Sequence, residues 1–250
     1  MSTHQNQDLP HPDSWKMFNS IAPRYDLLNR ILSLGQDMRW RHSLKQFLPA
    51  RDLSPKRGRS PFWGQVILDV ATGTADVLIT LLQDNTDIEK AYGIDPAFNM
   101  LEIGLKKLKV LKLEDTVTLL QADACHLPFP DESFDVVTIS FGIRNVPDLR
   151  LALLEMYRVT KKGGEVLILE FSKPKNPLLK CGHWIYLQTM VPLVGFCFSG
   201  NLKAYSYLNK SIQAFPYGDL FCKILKQMGF INIKEHRLMG GIATIYAAQK

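Results

Sequence analysis

A glycine turn follows the apolar, mostly β-branched segment 66–70, and residues typical of a helix come after it. Gly73 is the residue of this turn that lacks a Cβ, so the backbone can approach a bound molecule closely there. A buried strand, a glycine turn and a helix, in this order, build a nucleotide site at the carboxyl edge of an open α/β sheet. The turn around Gly73 therefore predicts a ligand site.

Acidic residues end the next two apolar segments. Asp95 follows Gly73 at about the ~20-residue spacing of a carboxylate that binds ribose hydroxyls, although a solvated loop carboxylate or a helix cap has the same pattern. Asp123 can accept a hydrogen bond from an adenine amino group, and the backbone N–H of Ala124 can donate to a ring nitrogen. Ser140 ends a fourth segment. The carboxyl ends of these four segments are expected to form one crevice.

The number of glycines in the turn distinguishes between two kinds of bound nucleotide. A dinucleotide turn needs three glycines, whereas this turn has Gly73 alone, with Asp76 close behind it. A carboxylate beside a pyrophosphate is unfavourable, so the turn favours a cationic nucleoside without phosphate. S-adenosylmethionine fits, since it has a sulfonium, an amino acid end, a ribose and an adenine. A nicotinamide-dependent dehydrogenase and a non-catalytic binding module stay open as alternatives.

Strand-like and helix-like segments alternate through the middle of the chain. The expected strands lie at residues 66–71, 91–95, 116–121, 134–140 and 165–170, with helices between most of them and a turn at 161–164. This alternation predicts an α/β fold with a mostly parallel, doubly wound sheet. A helix near 217–228 precedes two strands, near 230–237 and 242–248, which predict an antiparallel strand inserted at the sheet edge.

Two further regions stand outside this alternation. Apolar residues recur at helical spacing from Trp15 to Leu32, with a break predicted at Pro23, and a second helix is expected over residues 36–47. Residues 173–213 are too apolar for a free loop and predict an inserted lid. We expect a disordered tail at residues 1–12 and a single domain over 13–250, with a helical cap at 13–48.

The bulk composition excludes several classes of protein. The net charge of +6 is moderate, and no dense Lys/Arg run predicts nucleic-acid binding. The four cysteines form no CxxC pair, so neither a zinc site nor a redox dithiol is expected, and scattered thiols fit the cytoplasm. No secretory signal is recognised, and the apolar run 184–198 is short of the ~20 residues that span a bilayer.

Longer motifs resemble the ubiquinone/menaquinone biosynthesis C-methyltransferase family, which includes demethylmenaquinone methyltransferase and polyprenyl-benzoquinol methylase. The resemblance covers nearly the whole chain, from about Trp15 to Lys250. It is carried by segments 25–33, 134–146 and 158–174, and most specifically by Ile143-Arg144-Asn145 and by 170–174. It implies a Rossmann-like class I methyltransferase with a seven-stranded, mostly parallel sheet.

The resemblance also implies a cofactor and a substrate. The cofactor is S-adenosyl-L-methionine, contacted by Thr74, Asp95, Asp123, Ala124 and Ser140 together with the turn at Gly73. The substrate is a polyprenyl quinol that is methylated on carbon, with demethylmenaquinol to menaquinol as the preferred reaction. C-methylation of 2-methoxy-6-polyprenyl-1,4-benzoquinol and O-methylation stay open.

Three residues are hypothesised to act on that substrate. Arg144 would stabilise the developing phenolate, or else form a structural ion pair with Asp148. Asn145 would orient the ring hydroxyl. Tyr25, on a helix folded over the crevice, would position the ring or relay its proton, with plain packing as the alternative. No metal is required, and His126 and His183 are expected to be structural.

Five positions depart from the family's usual pattern, namely Leu28, Asp37, Ala75, Thr160 and Lys162. Asp37 stands where the family usually has histidine, so the position cannot use an imidazole as a proton acceptor. Ala75 stands in place of a glycine and is expected to narrow the cofactor turn by one methyl group.

The apolar character of the predicted lid also indicates where in the cell the protein is located. The apolar segment 176–210 is expected to hold the prenyl tail and to contact a membrane, with packing on the sheet as the alternative. We therefore expect a cytoplasmic protein, peripheral at the inner face of the cell membrane. The oligomeric state, a homo-oligomer included, is left open by the sequence.

Overall fold

The computed structural model describes residues 14–49, 64–83, 87–199 and 202–250, with the side chains of 190–206 outside that description. Its central sheet has seven strands in this part of the chain. They are β1 Gln65–Val70, β2 Ile88–Asp95, β3 Val117–Gln121, β4 Phe134–Ser140, β5 Thr160–Phe171, β6 Ile231–Leu238 and β7 Ala243–Gln249. The strand order is β3-β2-β1-β4-β5-β7-β6, and β7 runs antiparallel to both of its neighbours. The predicted sheet with an inserted antiparallel strand is confirmed.

Helices cover both faces of this sheet. They are α1 Ser14–Ser33, α2 Gln36–Ser43, α3 Asp76–Leu82, α4 Phe98–Val110, α5 Leu149–Val159, α6 Pro177–Ser199, α7 Leu202–Ala214 and α8 Asp219–Gln227. The strand order reverses between β1 and β4, and a crevice forms at the carboxyl ends of strands where such a reversal occurs. The fold thus brings the ends of β1, β2 and β4 together.

The core lies on both sides of the parallel strands. Along β4, Val137 and Ile139 pack into one apolar cluster, whereas Val136 packs into the other. Strand β5 alternates in the same way, with Ile168 on one side and Leu169 on the other. Burial on both faces explains why these strands are continuous apolar runs in the sequence.

Helix α1 passes through Pro23 without ending, so the predicted break is wrong. A proline inside a helix leaves the carbonyl four residues earlier without its N–H donor. Here that carbonyl belongs to Asn19, and it accepts a hydrogen bond from Nδ2 of Asn99 at 3.1 Å. Oδ1 of Asn19 in turn accepts the backbone N–H of Asn99 at 2.7 Å. The first turn of α4 therefore supplies the missing donor and is capped in return.

Replacing Asn19 with alanine is expected to destabilise the protein by about 1 kcal/mol, the typical cost of removing a side chain that caps a helix. The Asn99 N–H would then lack its acceptor. Thermal or urea unfolding measures this change. Ser20→Ala is the matched control, because the exposed Ser20 hydroxyl bonds only to the Met17 carbonyl of its own helix; equal destabilisation by both variants would contradict the role of Asn19.

Strand β5 starts at Thr160, five residues earlier than predicted, so the expected turn at 161–164 is wrong. The pairing of β4 with β5 is irregular here, since Phe134 pairs with Thr160 and Val136 pairs with Glu165. Lys250 exchanges backbone hydrogen bonds with Gly163 and Gly164, which keeps them in the sheet although Gly163 is left-handed (φ 73°). The two glycines therefore mark an irregular stretch of strand rather than a loop.

Helices α6 and α7 form most of the segment predicted as a lid. They pack against each other, and α6 also packs against α1. Leu187 and Ile212 join Leu28 of α1 in a small apolar cluster, and the Tyr186 hydroxyl donates to the Leu32 carbonyl at 2.7 Å. In the described residues, no helix has both the length and the apolar character needed to cross a membrane. The lid function stays a prediction, and the predicted tail at 1–12 lies outside the described residues.

Candidate functional site

Two adjoining cavities lie at the carboxyl ends of the parallel strands. The first, of about 420 Å³, is formed by the strand ends and the start of α1. The second, of about 380 Å³, is mostly apolar and lies between α1, α2, α6 and α7. Four residues, Phe18, Tyr25, Phe141 and Asn145, line both cavities. The two cavities therefore meet at these side chains, so a molecule in one can lie next to a molecule in the other.

The first cavity brings together five of the six predicted cofactor residues. Gly73, Asp95, Asp123, Ala124 and Ser140 all line it, although they come from four different strand ends. The hydroxyl of Ser140 is buried and has no hydrogen-bond partner within the described residues. A buried polar atom without a partner costs free energy, so it indicates a missing partner, such as a ligand.

Asp95 is positioned by the backbone on both sides. Its Oδ2 accepts the N–H of Gly73 at 2.9 Å, and its Oδ1 accepts the N–H of Ala97 at 2.8 Å. Burial raises the pKa of this carboxyl to about 6, and the two N–H donors partly oppose that shift. Each oxygen keeps a lone pair for a ligand hydroxyl. Asp95 is thus a buried acceptor in the cavity wall, and the solvated-carboxylate alternative is wrong.

Thr74 and Asp76 are engaged away from the cavity, and neither lines it. The Thr74 hydroxyl donates to Asp26 at 2.7 Å and accepts from Lys107 at 2.9 Å. Asp76 forms ion pairs with Lys107 and Arg41, at 2.5 and 3.5 Å. The structure therefore does not bring the Thr74 side chain to the predicted cofactor site. We also expected the charge of Asp76 to favour a cationic ligand. That expectation is wrong, because this carboxylate is already paired with Lys107 and Arg41.

Ala75 does not narrow the cavity, which corrects the expectation from its position in the turn. Its backbone is in the left-handed region (φ 63°), and its buried methyl lies near Gly104, where an added Cβ would be 3.3 Å away. The alanine that lines the cavity is Ala71, also left-handed, with φ 52°. The methyl group next to the ligand space thus belongs to Ala71.

Arg144 lies at the polar end of the second cavity. Its Nη1 bonds to Oε1 of Glu170 at 2.7 Å and to the carbonyl of Phe141 at 2.6 Å. The Arg144 Nε is buried and has no hydrogen-bond partner among the described residues, which indicates a missing partner such as a ligand. The alternative of an ion pair with Asp148 is wrong, because that carboxylate caps α5 instead.

Glu170 is a site residue that was not predicted. It is fully buried, and burial raises the pKa of its carboxyl, while the adjacent Arg144 lowers it. A buried carboxylate needs a cation or hydrogen-bond donors to remain in the core. An acid at the end of the apolar run 166–169 was therefore a signal that a buried basic partner exists.

Phe141 is the second unpredicted residue, and it belongs to the wall that the two cavities share where they meet. Its backbone is left-handed (φ 56°), a conformation that a bulky residue rarely adopts. The N–H of Phe141 donates to the Leu169 carbonyl at 2.8 Å, and its own carbonyl accepts from Arg144 and, at 3.4 Å, from Asn145. The Asn145 Oδ1 accepts from the Tyr207 hydroxyl at 3.2 Å. The predicted pair Arg144 and Asn145 thus also fixes this wall.

Tyr25 and His183 also reach the second cavity. Burial raises the pKa of the Tyr25 phenol above 10, so this group remains a hydrogen-bond donor at neutral pH. Burial lowers the pKa of His183 from 6.5, so its imidazole is neutral under the same conditions. His183 was expected to be structural only, because it is isolated in the sequence from other residues that could do chemistry.

Comparisons with known proteins agree with this geometry. The ubiE/COQ5 methyltransferase family pattern matches residues 6–250. A Geobacter sp. (strain M21) protein named ubiquinone/menaquinone biosynthesis C-methyltransferase UbiE is 43% identical over 94% of both chains. A Thermus thermophilus protein named demethylmenaquinone methyltransferase is 40% identical over 94% of this chain and 100% of its own. The chain belongs to the ubiE/COQ5 methyltransferase family. This confirms the resemblance, and it sets aside the dehydrogenase and the non-catalytic module.

Solved structures show the same fold for this ubiE/COQ5 family member. An S-adenosylmethionine-dependent methyltransferase of Thermotoga maritima superposes with a TM-score of 0.60 at 18% identity, over 94% of this chain and 99% of its own. A Haemonchus contortus phosphoethanolamine N-methyltransferase, solved with S-adenosylmethionine, superposes with a TM-score of 0.59 at 18% identity, over 86% of this chain and 52% of its own. The class I methyltransferase fold is therefore confirmed.

The methyl donor of this methyltransferase is S-adenosylmethionine, and the first cavity fits it. The unpartnered Ser140 hydroxyl and the two acceptor oxygens of Asp95 suit a ligand rich in hydroxyl and amino groups. Across the described residues, no group of histidine, cysteine and acidic side chains has the arrangement of a metal site.

Proposed function

We propose that this methyltransferase transfers a methyl group to a ring carbon of demethylmenaquinol, giving menaquinol. The names of the relatives from Thermus thermophilus and Bacteroides fragilis, demethylmenaquinone methyltransferase, support this substrate. The observation that carries the proposal is the pair of adjoining cavities that meet at Phe141. One cavity suits the methyl donor, and the other is apolar enough for a prenylated ring.

The residues of the second cavity suit the chemistry of a quinol. A hydroquinone ring carbon becomes a good nucleophile as an adjacent hydroxyl loses its proton. S-adenosylmethionine, when bound, supplies an electrophilic methyl group on its sulfonium. Arg144 can donate to the oxygen on which negative charge develops, and such donors are most effective in a site that excludes water. Tyr25, Phe18 and Phe141, which line both cavities, would hold the ring next to the methyl donor, so that proximity and orientation contribute most of the rate.

A direct assay tests the proposal. The purified protein would be incubated anaerobically with S-adenosylmethionine and demethylmenaquinol in detergent micelles, and the product identified by mass spectrometry after acid treatment. We expect an added methyl group that survives acid, as a C-methyl does. Parallel reactions with 2-methoxy-6-polyprenyl-1,4-benzoquinol test the ubiquinone alternative. A higher kcat/KM for the benzoquinol, or an acid-labile methyl ether, would contradict the proposal.

We also propose that the open end of the second cavity meets an anionic membrane. Leu34 and Leu178 line this cavity and are 80% and 82% exposed, and Trp184 on the same helix α6 is 56% exposed. Lys175 and Lys180 are exposed beside them. Exposed apolar side chains next to basic ones are typical of surfaces that bind anionic lipid. A membrane-resident quinol could then enter the cavity without crossing water.

Replacing Leu178 and Trp184 with glutamate is expected to abolish co-sedimentation with phosphatidylglycerol-containing vesicles, because the charges oppose both apolar and electrostatic attraction. Val110→Glu, at an 81% exposed position at the end of α4, is the matched control and should co-sediment like the wild type. Equal partitioning of all three proteins would mean that α6 does not contact the membrane.

A further inference from the structure

The second cavity is also lined by a further polar group, Ser33, Asp37, Trp40 and Arg41, and both Trp40 and Arg144 lie against the ring of Phe171. Helices α1 and α2 contribute these residues, whereas Arg144 comes from the loop after β4. Asp37 is the only acidic residue among the described residues that line this cavity. It is 4% exposed, so its carboxylate is almost entirely removed from bulk water.

Ser33 and Asp37 are joined by hydrogen bonds. The Ser33 hydroxyl donates to Oδ1 of Asp37 at 2.7 Å and accepts the backbone N–H of Asp37 at 3.1 Å. A serine hydroxyl has two acceptor lone pairs, so Ser33 can accept one more hydrogen bond. A ligand hydroxyl at this position could pass its proton to Ser33, and Ser33 could pass its own proton to Asp37.

Trp40 is independent evidence that this polar group binds a ligand oxygen. Its side chain is 5% exposed, and its Nε1–H has no partner in the part of the chain that is described. Its ring lies against Phe141 and Phe171, with centroids 6.0 and 6.1 Å away, beside the shared wall. An indole N–H is a donor only, so its missing partner must be an acceptor such as a quinol oxygen.

The surrounding charges allow Asp37 to be protonated without leaving a cation unpaired. Arg41 Nη1 lies 2.6 Å from Asp37 and 3.5 Å from Asp76. When Asp37 is neutral, Arg41 therefore still has the carboxylate of Asp76. Asp76 also pairs with Lys107 at 2.5 Å and with Arg30 at 3.6 Å. A lone Asp–Arg pair would resist protonation more strongly, because the guanidinium would lose its only counter-charge.

We propose that Asp37 accepts, through the Ser33 hydroxyl, the proton of the quinol hydroxyl during methyl transfer, while Trp40 donates to the same oxygen. The inference rests on the proposed function, since it concerns the quinol as substrate. It gives Asp37 the role that the sequence could not assign, that of the proton acceptor.

The proton and bond changes balance. The quinol O–H bond breaks and its proton moves to Ser33, while the Ser33 proton moves to Asp37. The ring carbon forms a bond to the methyl group as the methyl–sulfur bond breaks, which leaves a neutral thioether. The ring then regains aromaticity by losing its C–H proton to water, and the oxygen recovers a proton from Asp37 through Ser33. One proton is released overall.

The test uses Asp37→Asn and Ser33→Ala in the demethylmenaquinol assay. General-base catalysis contributes about 10²- to 10⁴-fold, so kcat of Asp37→Asn should fall at least about 100-fold. The KM for the quinol and the Kd for S-adenosylmethionine should change little. Ser33→Ala should lower kcat while the Asp37–Arg41 pair stays intact, which guards against a loss that reflects only a disrupted ion pair.

The pH profile separates a chemical role from a structural one. The Asp37→Asn variant lacks the base, so its kcat should depend on the fraction of quinol that is ionised without help from the protein. That kcat should therefore rise about tenfold per pH unit below the phenol pKa of about 10. Asp37 contacts Ser33 and Arg41, and Arg41 connects it to Asp76 and through that residue to Arg30 and Lys107. The other titratable or charged side chains that line the cavity are Tyr25, Arg144, His183, Tyr186 and Tyr207. Formate added to Asp37→Ala should restore activity, whereas chloride should not.

His183→Gln is the matched control, because His183 is the other base that lines the cavity. It should keep the wild-type pH profile. A loss of kcat in Asp37→Asn that is equal at every pH, or a pH-dependent loss in His183→Gln instead, would overturn the assignment. Wild-type protein that fails to methylate the quinol would instead contradict the proposed function itself, so the two failures are distinguishable.

Discussion

Replacing Arg144 with glutamine is expected to lower kcat for quinol methylation by about 10²- to 10³-fold, the usual effect of removing a donor to a developing oxyanion. Arg144 is 8% exposed, and its Nε has no hydrogen-bond partner among the described residues. Affinity for S-adenosylmethionine should be retained, since Arg144 does not line the first cavity. Single-turnover kinetics and calorimetric titration measure the two effects separately.

The single variant also has a structural effect that must be separated from the chemical one. Glu170 is fully buried, and removing one partner of a buried ion pair costs about 3 to 5 kcal/mol. The double variant Arg144→Gln, Glu170→Gln removes both charges and should recover most of the lost stability. It should not recover activity. Recovery of both would mean that Arg144 acts only as the structural partner of Glu170.

Replacing Asp95 with alanine is expected to weaken S-adenosylmethionine binding at least about 100-fold. A hydrogen bond to a charged group contributes about 1.5 to 3 kcal/mol, and about 1.4 kcal/mol is a tenfold change in affinity. The substitution removes the ribose acceptor and also leaves the N–H groups of Gly73 and Ala97 without their acceptor. Asp115→Ala, an exposed carboxylate away from both cavities, should bind normally.

The same carboxyl predicts how binding depends on pH. Burial raises the pKa of Asp95 to about 6, so below that pH the free protein increasingly holds a proton that must leave before the carboxylate can accept the ribose hydroxyls. The Kd should therefore increase about tenfold per pH unit below 6 and be constant above about 7. Calorimetric titrations from pH 5 to 8 measure this, and Asp95→Ala should lose the dependence. An unchanged Kd at pH 5 would show that Asp95 does not contact the ligand.

The sheet could be predicted because its signals are local. Each parallel strand is a continuous apolar run, and each run ends at a turn that the sequence marks. Pro23 was misjudged because its effect depends on Asn99, 76 residues away, which supplies the missing donor. The start of β5 was misjudged for a similar reason, since hydrogen bonds to Lys250 keep Gly163 and Gly164 in the sheet.

The same distinction between local signals and distant partners applies to the site residues. Gly73, Asp95 and Ser140 could be predicted because strand ends meet at one edge of a parallel sheet. Thr74 was misplaced because its hydroxyl is held by charged groups from α1 and α4, which sequence spacing does not reveal. Glu170 and Phe141 were missed because one depends on a partner distant in sequence and the other on a backbone conformation that no motif encodes.

Phe141 has a consequence for how this site tolerates substitution. Its main chain favours glycine or asparagine, because only these residues adopt the left-handed region readily. Its side chain, by contrast, is an aromatic ring that lines both cavities. No standard amino acid meets both demands, so glycine or asparagine at position 141 would relieve the backbone cost and remove the ring. In a saturation library, we expect variants with higher stability and lower activity at this position, and few that gain in both.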